Sequence, residues 1–154
     1  MSDEGCCNVK VRIILSAIGV IVGLSVFLVF GIVYENLSCA IWALISGVFA
    51  SLTLCTHVKY ARDQWRTHTE YLKPMMFTGC FGQLAGVCGF VAYITLASVL
   101  SQGLLVRGPG YYLTSIWCFI TWKWGFLLFY SSRYYRRCYH DNTGLPSDVP
   151  YEKV

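Results

Sequence analysis

The sequence predicts an all-α, polytopic membrane protein with four transmembrane helices and both termini in the cytosol. The chain of 154 residues is 56% hydrophobic and only 13% charged, and four long stretches are almost free of charged residues, with Lys123 in the fourth as the exception. Its mean hydropathy is +0.53. Each of these stretches reaches the roughly 20 residues that a helix needs to cross hydrocarbon. Soluble domains carry about 25% charged residues, so this composition excludes a water-soluble domain.

Charged and turn-forming residues separate the four predicted spans. The first span follows Lys10 and Arg12, and it forms a hairpin with the second around Glu35 and Asn36. Pro74 opens the third, where proline suits the first turn of a helix. Backbone groups in lipid must be satisfied within the segment, so spans of this length are helices. The transmembrane domain is expected at 13–130, with spans at about 13–34, 37–58, 75–100 and 111–130, between cytosolic segments 1–12 and 131–154.

The basic residues predict the orientation. Ten of the twelve Lys and Arg residues precede the first span, join the second to the third, or follow the fourth. Arg107 alone lies on the other side, and Lys123 lies inside the fourth span. Because basic residues collect on the cytosolic side, both termini are expected there. The formal net charge of +4 is divided among loops, and without a nucleic-acid motif it predicts no nucleic-acid partner.

Glycines recur at helical spacing in two of the spans. Gly19 and Gly23 are four residues apart in the first span, and four more alternate by three and four in the third: Gly79, Gly82, Gly86 and Gly89. Stripes of small residues allow a second helix to approach closely. The pattern therefore predicts either packing within the bundle or the seam of a homo-oligomer.

Lys123 is the most informative single residue. It lies twelve residues after Tyr111 and ten before Arg133, which places it near the membrane midplane. None of the four spans contains Asp or Glu. A lysine at that depth costs about 2.5–3.5 kcal/mol, so it usually has a partner or marks a pathway. The alternatives are a neutral or snorkelling lysine, a cation–π contact with Trp122 or Trp124, or an anionic ligand.

His57 is the only histidine inside a predicted span. It shares a helical face with Ser46, Ala50, Thr53 and Tyr60, and this small, polar stripe suits a bundle interior. A lone histidine near the interface is usually solvated or hydrogen-bonded. With Tyr60 one turn away, it could alternatively offer an axial ligand to an iron porphyrin.

The segment after the fourth span mixes tyrosine with arginine, including Arg133, Tyr134 and Tyr135. This composition is typical of an aromatic belt with a cytosolic anchor. It also suits a flat dianionic ligand, because rings stack on a porphyrin and guanidinium groups pair with its propionates. Tyr151 and Val154 have the spacing of a tyrosine-based sorting signal, which predicts a sorting adaptor as a partner.

Several blocks of residues carry a resemblance to a known family: Val26-Phe27-Leu28-Val29, Thr56-His57-Val58 with Tyr60, Trp65-Arg66-Thr67, Tyr111-Tyr112-Leu113, Lys123-Trp124 and Phe126-Leu127-Leu128. In this order, over about residues 24–137, the chain resembles the haem-responsive-gene family of four-helix haem transporters. The resemblance implies haem as transported substrate, without a prosthetic group. It also implies movement from outside or from an endolysosomal lumen into the cytosol, across the plasma membrane or an endosomal or lysosomal membrane.

The resemblance extends to particular positions. His57 matches the family's histidine on the second span, and the segment from Tyr130 to Tyr139 resembles its haem-interacting tail. Members can carry a histidine between the third and fourth spans, but here Ser101–Gly110 has none. Arg107, Tyr111 and Tyr112 are the alternative candidates for outer haem capture.

The sequence hypothesis is a transporter that carries haem without covalent chemistry. On this hypothesis Lys123 pairs with the propionates, His57 and Tyr60 meet the iron, and the tail with Arg133, Tyr134 and Tyr135 releases haem. No nucleophile–base pair indicates an enzyme. Two alternatives stay open at this point: a four-span scaffold or trafficking protein, and a carrier of another organic anion.

Overall fold

The protein is a bundle of four long helices in the computed structural model, which describes the backbone of residues 3–143 and the side chains of residues 8–139. The helices are α1 Asp3–Leu28, extended by a π-helical segment Val29–Val33, α2 Leu37–Ala61, α3 Leu72–Val99 and α4 Tyr111–Thr143. All regular elements of the described chain are helical, which confirms the predicted all-α class. Tyr151 and Val154, the predicted sorting signal, lie outside the described residues.

Three helical segments are long and apolar enough to cross a membrane: Asn8–Val33, Leu37–Ala61 and Thr69–Val99. Their outward faces carry exposed apolar side chains, such as Ile21, Ile32 and Phe81, as lipid-facing surfaces do. Helix α4 has ample length at 33 residues. It is not among the three because Lys123 and its many Tyr and Trp residues lower its mean hydropathy.

The helices pack as two antiparallel pairs. In the first pair, Gly23 of α1 lies against Gly47 of α2. In the second, Gly79 of α3 faces Phe129 and Gly86 faces Trp122 of α4. The pairs join through α2 and α4, which run parallel, so that Thr121 reaches Trp42 near one end and Tyr135 reaches His57 near the other.

The glycine stripes are used within the chain. A Cβ atom on Gly79 or Gly86 would meet the backbone of α4. On Gly82 and Gly89 it would meet the rings of Phe49 and Trp42. Gly79 and Gly86 therefore allow α3 to contact α4 closely, whereas Gly82 and Gly89 make room for aromatic side chains of α2.

The connection between α2 and α3 is an ordered part of the bundle's end. It contains the 3₁₀ turns Gln64–Arg66 and Thr69–Tyr71. Trp65, in the first of these turns, is fully buried. Its Nε1 donates a hydrogen bond to the carbonyl of Thr56 in α2 at 3.0 Å. Lys59 places its Nζ 5.0 Å from the centre of the same ring. These contacts fix the connection against the end of α2.

Helix α4 does not end at the predicted limit of the fourth span. It continues from Tyr130 through Thr143, so the segment that carries Arg133, Tyr134 and Tyr135 is part of the same helix. Ser131, Ser132 and Tyr135 are buried on one side, while Arg133 and Tyr134 are exposed on the other. Helical periodicity thus divides the predicted tail between two faces.

Candidate functional site

A cavity lies between α1 and α4. Both helices pack on α2 but make few close contacts with each other. The space between them has a volume of about 540 Å³. Its wall is mainly apolar, with polar groups from Arg12, Ser46, His57 and Lys123. Ligand sites are typically apolar clefts of about 300–1,000 Å³ with a few placed polar groups, and this cavity fits that description.

The cavity has an outer level formed by Ser46, Lys123 and Trp124. Lys123 is exposed in the described chain, and its Nζ lies 5.5 Å from the centre of the Trp124 ring. The cation–π contact considered for this lysine is therefore present, with Trp124. The Ser46 side chain is buried, and its hydroxyl has no hydrogen-bond partner among the described residues. A cation and an unpartnered hydroxyl thus border the same space.

The inner level contains His57 and Arg12. His57 is 3% exposed, and its Nδ1 lies 2.7 Å from the hydroxyl of Tyr135. The guanidinium of Arg12 is close enough to interact electrostatically with both of these side chains. Ser16, one turn along α1, is also in the wall. His57, Tyr135 and the permanently charged Arg12 therefore lie together at one end of the cavity.

The hydrogen bond at Nδ1 determines what His57 can do. In the tautomer in which Nδ1–H donates to the Tyr135 oxygen, Nε2 carries the lone pair. Metal-binding histidines commonly use one ring nitrogen as ligand and the other as donor to a fixed partner, which orients the ring. In that tautomer, His57 has the arrangement of an oriented metal ligand beside the cavity.

Tyr60 lies behind this site rather than in the cavity wall. Its ring stacks on Tyr135 with centres 3.9 Å apart, and it meets Tyr139 edge-on at 6.2 Å. The Tyr139 hydroxyl donates to Asp63 at 2.7 Å. Partial burial and this hydrogen bond raise the pKa of Tyr139, so its proton is retained. The cluster of Tyr60, Tyr135, Tyr139 and Asp63 supports the ring that positions His57.

The two levels of the cavity are well separated. Ser46 and His57 are eleven residues apart on α2, which corresponds to about 16 Å along the helix axis. Lys123 and Tyr135, the neighbours of these levels on α4, are twelve residues apart. Both levels open to one cavity, but Lys123 and His57 are not in contact.

The remaining predicted residues lie elsewhere. Arg133 and Tyr134 are exposed on α4 outside the cavity wall. At the opposite end of the bundle, Arg107 is exposed in the connection between α3 and α4. Tyr111 stacks on Tyr93 with ring centres 6.1 Å apart, and Tyr112 is half-buried. Arg107, Tyr111 and Tyr112 are therefore near one another in sequence, and none of them is in the wall of the cavity between α1 and α4.

Sequence reasoning did not identify Arg12 or Ser46 as site residues, nor Asp63 as a partner of Tyr139. A signal for Arg12 was present, because Arg12, Ser16, Gly19 and Gly23 follow one another at spacings of four, three and four. That period places them on one helix face. No comparable signal pairs Asp63 with Tyr139, since these residues are 76 positions apart.

The chain matches the family described as "Haem-transporter, endosomal/lysosomal, haem-responsive gene" over residues 72–124. The matched segment covers α3 and α4 as far as Lys123 and Trp124. It therefore includes the outer level of the cavity on α4 but not His57.

Relatives match nearly the whole chain. The heme transporter hrg-1 of Caenorhabditis elegans is 30% identical over 159 aligned positions, covering 97% of this chain and 81% of the relative. The heme transporter hrg-6 of the same organism is 24% identical, covering 84% of this chain and 83% of the relative. No solved structure matches significantly. The chain belongs to the haem-responsive-gene family of haem transporters.

Proposed function

We propose that this protein transports haem across a membrane into the cytosol through the cavity between α1 and α4. The observation that carries the proposal is the joint presence, in one apolar cavity, of two cations and a histidine oriented by Tyr135. Haem has an apolar macrocycle, two carboxylates and an iron that accepts imidazole. Membership of a family of haem transporters supports the same substrate. Transport requires no covalent step, so the role is not enzymatic.

The charge of the cavity favours an anionic substrate. Lys123 and Arg12 line it, whereas no Asp or Glu does so among the described residues. A cation in a region of low dielectric is stabilised by an anion that arrives with the substrate. The apolar part of the wall, which includes Trp117 and Trp124, can contact the macrocycle.

The route begins at the end of the bundle that carries Arg107, Tyr111 and Tyr112. Haem then passes Lys123 and Ser46 and reaches His57. The aromatic cluster around Tyr135 lies next on this path, with Arg133 and Tyr134 on the outer face of the same helix. Because the two cavity levels are about 16 Å apart, haem occupies them successively.

The orientation follows from the distribution of basic residues. Lys10, Arg12, the α2–α3 connection and the end of α4 lie at one end of the bundle, where His57 and Tyr135 meet. The positive-inside rule supports a cytosolic location for this end, with α4 as the fourth span. The family description supports an endosomal or lysosomal membrane, and a sorting adaptor that reads Tyr151 and Val154 would direct the chain there.

The decisive experiment uses a haem-auxotrophic cell that grows on limiting haem. Expression of the native chain should restore growth, whereas His57→Ala and Lys123→Ala should each restore it less at equal membrane abundance. Exposed residues of the same type provide matched controls: His68→Ala and Lys73→Ala, both outside the cavity, should grow like the native chain. Failure of the native chain at good membrane abundance would reject haem transport.

A second candidate is a carrier of another organic anion, which the cations of the cavity would also suit. Uptake of haem into vesicles should be measured against an excess of iron-free protoporphyrin or of an unrelated dicarboxylate. Inhibition by the porphyrin alone supports a haem carrier, and equal inhibition by the dicarboxylate supports the wider anion carrier. A scaffold would show no saturable haem absorbance after purification.

A further inference from the structure

We infer that Arg12 is the residue that pairs with the carboxylates of haem while its iron is at His57, and that Lys123 serves a separate, earlier position. This inference rests on the proposed function, and it assigns to a residue of α1 a role that the sequence hypothesis gave to Lys123.

Arg12 lies at the same level of the bundle as His57. Gly23 of α1 is opposite Gly47 of α2, and the two helices are antiparallel. Eleven residues toward the N-terminus of α1 is Arg12, and eleven toward the C-terminus of α2 is Val58. Arg12 is therefore beside His57, in agreement with its electrostatic interaction with that ring.

The guanidinium of Arg12 is accessible from the cavity. Arg12 lines the cavity and its side chain is exposed, so a ligand can reach the guanidinium. Among the described residues, Arg66 forms an ion pair with Asp63, whereas Arg12 forms none. A guanidinium without a carboxylate partner offers the forked geometry that a carboxylate accepts in bidentate fashion.

The distance between the two levels of the cavity limits which cation one ligand can reach. A ligand held by its iron at His57 would have to extend about 16 Å along the bundle to reach the level of Ser46 and Lys123. Haem is a rigid disc with both carboxylates on one edge, so its length limits which cation it can meet. Arg12 lies within the inner level, whereas Lys123 belongs to the outer one.

The outer level of the cavity can bind a porphyrin carboxylate at a position separate from His57. Lys123 supplies a cation, and the buried hydroxyl of Ser46 has no partner in the described chain. A carboxylate could accept hydrogen bonds from both groups. The iron would then be away from His57, so this level should hold porphyrins with or without iron.

The test measures equilibrium binding to the purified full chain in lipid nanodiscs. The probes are ferric protoporphyrin IX and its dimethyl ester, which has the same ring and iron but no free carboxylate. The inner position is identified by the part of the Soret spectrum that disappears in His57→Ala. The variants are Arg12→Gln, Arg12→Lys and Lys123→Gln, and Lys10→Gln is the control because Lys10 is exposed on the same helix outside the cavity.

We expect Arg12→Gln to weaken His57-dependent binding of the free acid by about tenfold or more, in line with the loss of a charge-assisted hydrogen bond. Binding of the dimethyl ester should be unchanged, Arg12→Lys should restore part of the affinity, and Lys123→Gln should leave the His57-dependent spectrum in place.

Three results would overturn the inference: equal affinity of native chain and Arg12→Gln for the free acid, equal losses for acid and ester, or loss of the His57-dependent spectrum in Lys123→Gln. In each of these the native chain still binds haem, so the proposed function stands. A native chain that transports no haem and shows no saturable binding would instead remove the proposed function itself.

Discussion

The two sides of α4 are packed in different ways, and Gly86 and Gly19 illustrate the contrast. A Cβ on Gly86 of α3 would lie 2.6 Å from the backbone nitrogen of Trp122, so the two helices touch through their backbones. A Cβ on Gly19 of α1 would meet the indole ring of Trp124 and no backbone of α4 among its three nearest atoms. One side of α4 is closed by main-chain contact, and the other is bridged by a side chain that borders the cavity.

This difference gives the two sides of α4 different freedom to adjust. Backbone contact cannot adjust without moving a whole helix, whereas an indole ring can change its rotamer. The α3–α4 side therefore forms a rigid wall, and the α1–α4 side can admit a ligand. The charged and histidine side chains, Arg12, His57 and Lys123, all occur on the adjustable side.

The largest effect is expected for Gly86→Ala. The added methyl group must separate α3 from α4, and overpacking of this kind costs about 1–3 kcal/mol. Thermal unfolding of the purified chain in detergent, followed by circular dichroism, should show a clear decrease in Tm. Gly103→Ala is the control, because a Cβ there has no atom within 4 Å. Equal Tm values for the two variants would contradict the rigid wall.

The next effect concerns the partner of His57. Tyr135→Phe removes the hydroxyl that lies 2.7 Å from Nδ1 but keeps the ring that stacks on Tyr60. Loss of a supporting partner typically weakens metal binding by about 10–100-fold, so we expect about a tenfold loss in affinity for ferric haem. Tyr134→Phe, on the exposed neighbour, should bind normally. If both variants bind alike, the hydroxyl does not orient His57.

Gly19→Ala should lower Tm less than Gly86→Ala does, and it should also lower haem affinity. The new methyl group displaces the Trp124 ring, which lies in the cavity wall. Haem affinity should fall about threefold, with a smaller decrease in Tm than in Gly86→Ala, because the moving group is a side chain. Quenching of tryptophan fluorescence by haem gives the affinity. A decrease in Tm as large as that of Gly86→Ala would remove the distinction between the two sides.

The smallest change in haem affinity is expected for Arg107, in the connection between α3 and α4. Arg107 is exposed and lies outside the cavity wall. Arg107→Gln should leave equilibrium haem affinity within about twofold and should lower only the rate of uptake at low salt, because an exposed charge steers an anion at long range. Uptake into vesicles at low and high ionic strength tests this. A change in affinity equal to that of Arg12→Gln would extend the binding site to the outer connection.

Sequence patterns predicted the parts of the site that lie on single helices. The polar stripe of α2 predicted that Ser46 and His57 face inward, and both are buried. The absence of carboxylates from the spans predicted that Lys123 has no buried ion pair, and its recorded contact is with Trp124. The aromatic and basic segment was predicted as an aromatic belt with a basic anchor or as a haem-interacting tail. Helical periodicity puts Tyr135 next to His57 and puts Tyr134 and Arg133 on the exposed face.

The sequence by itself determined the class of the protein. Long uncharged stretches can exist only as helices in a membrane, and glycines at spacings of three and four provide surfaces for close helix packing, so local composition is sufficient for both conclusions. Tertiary structure decided which residues share a site. Arg12, His57 and Tyr135 come from three helices, and only the antiparallel and parallel packing of α1, α2 and α4 brings them to one level. Contacts between distant positions depend on how whole helices align, which periodicity within one helix does not specify.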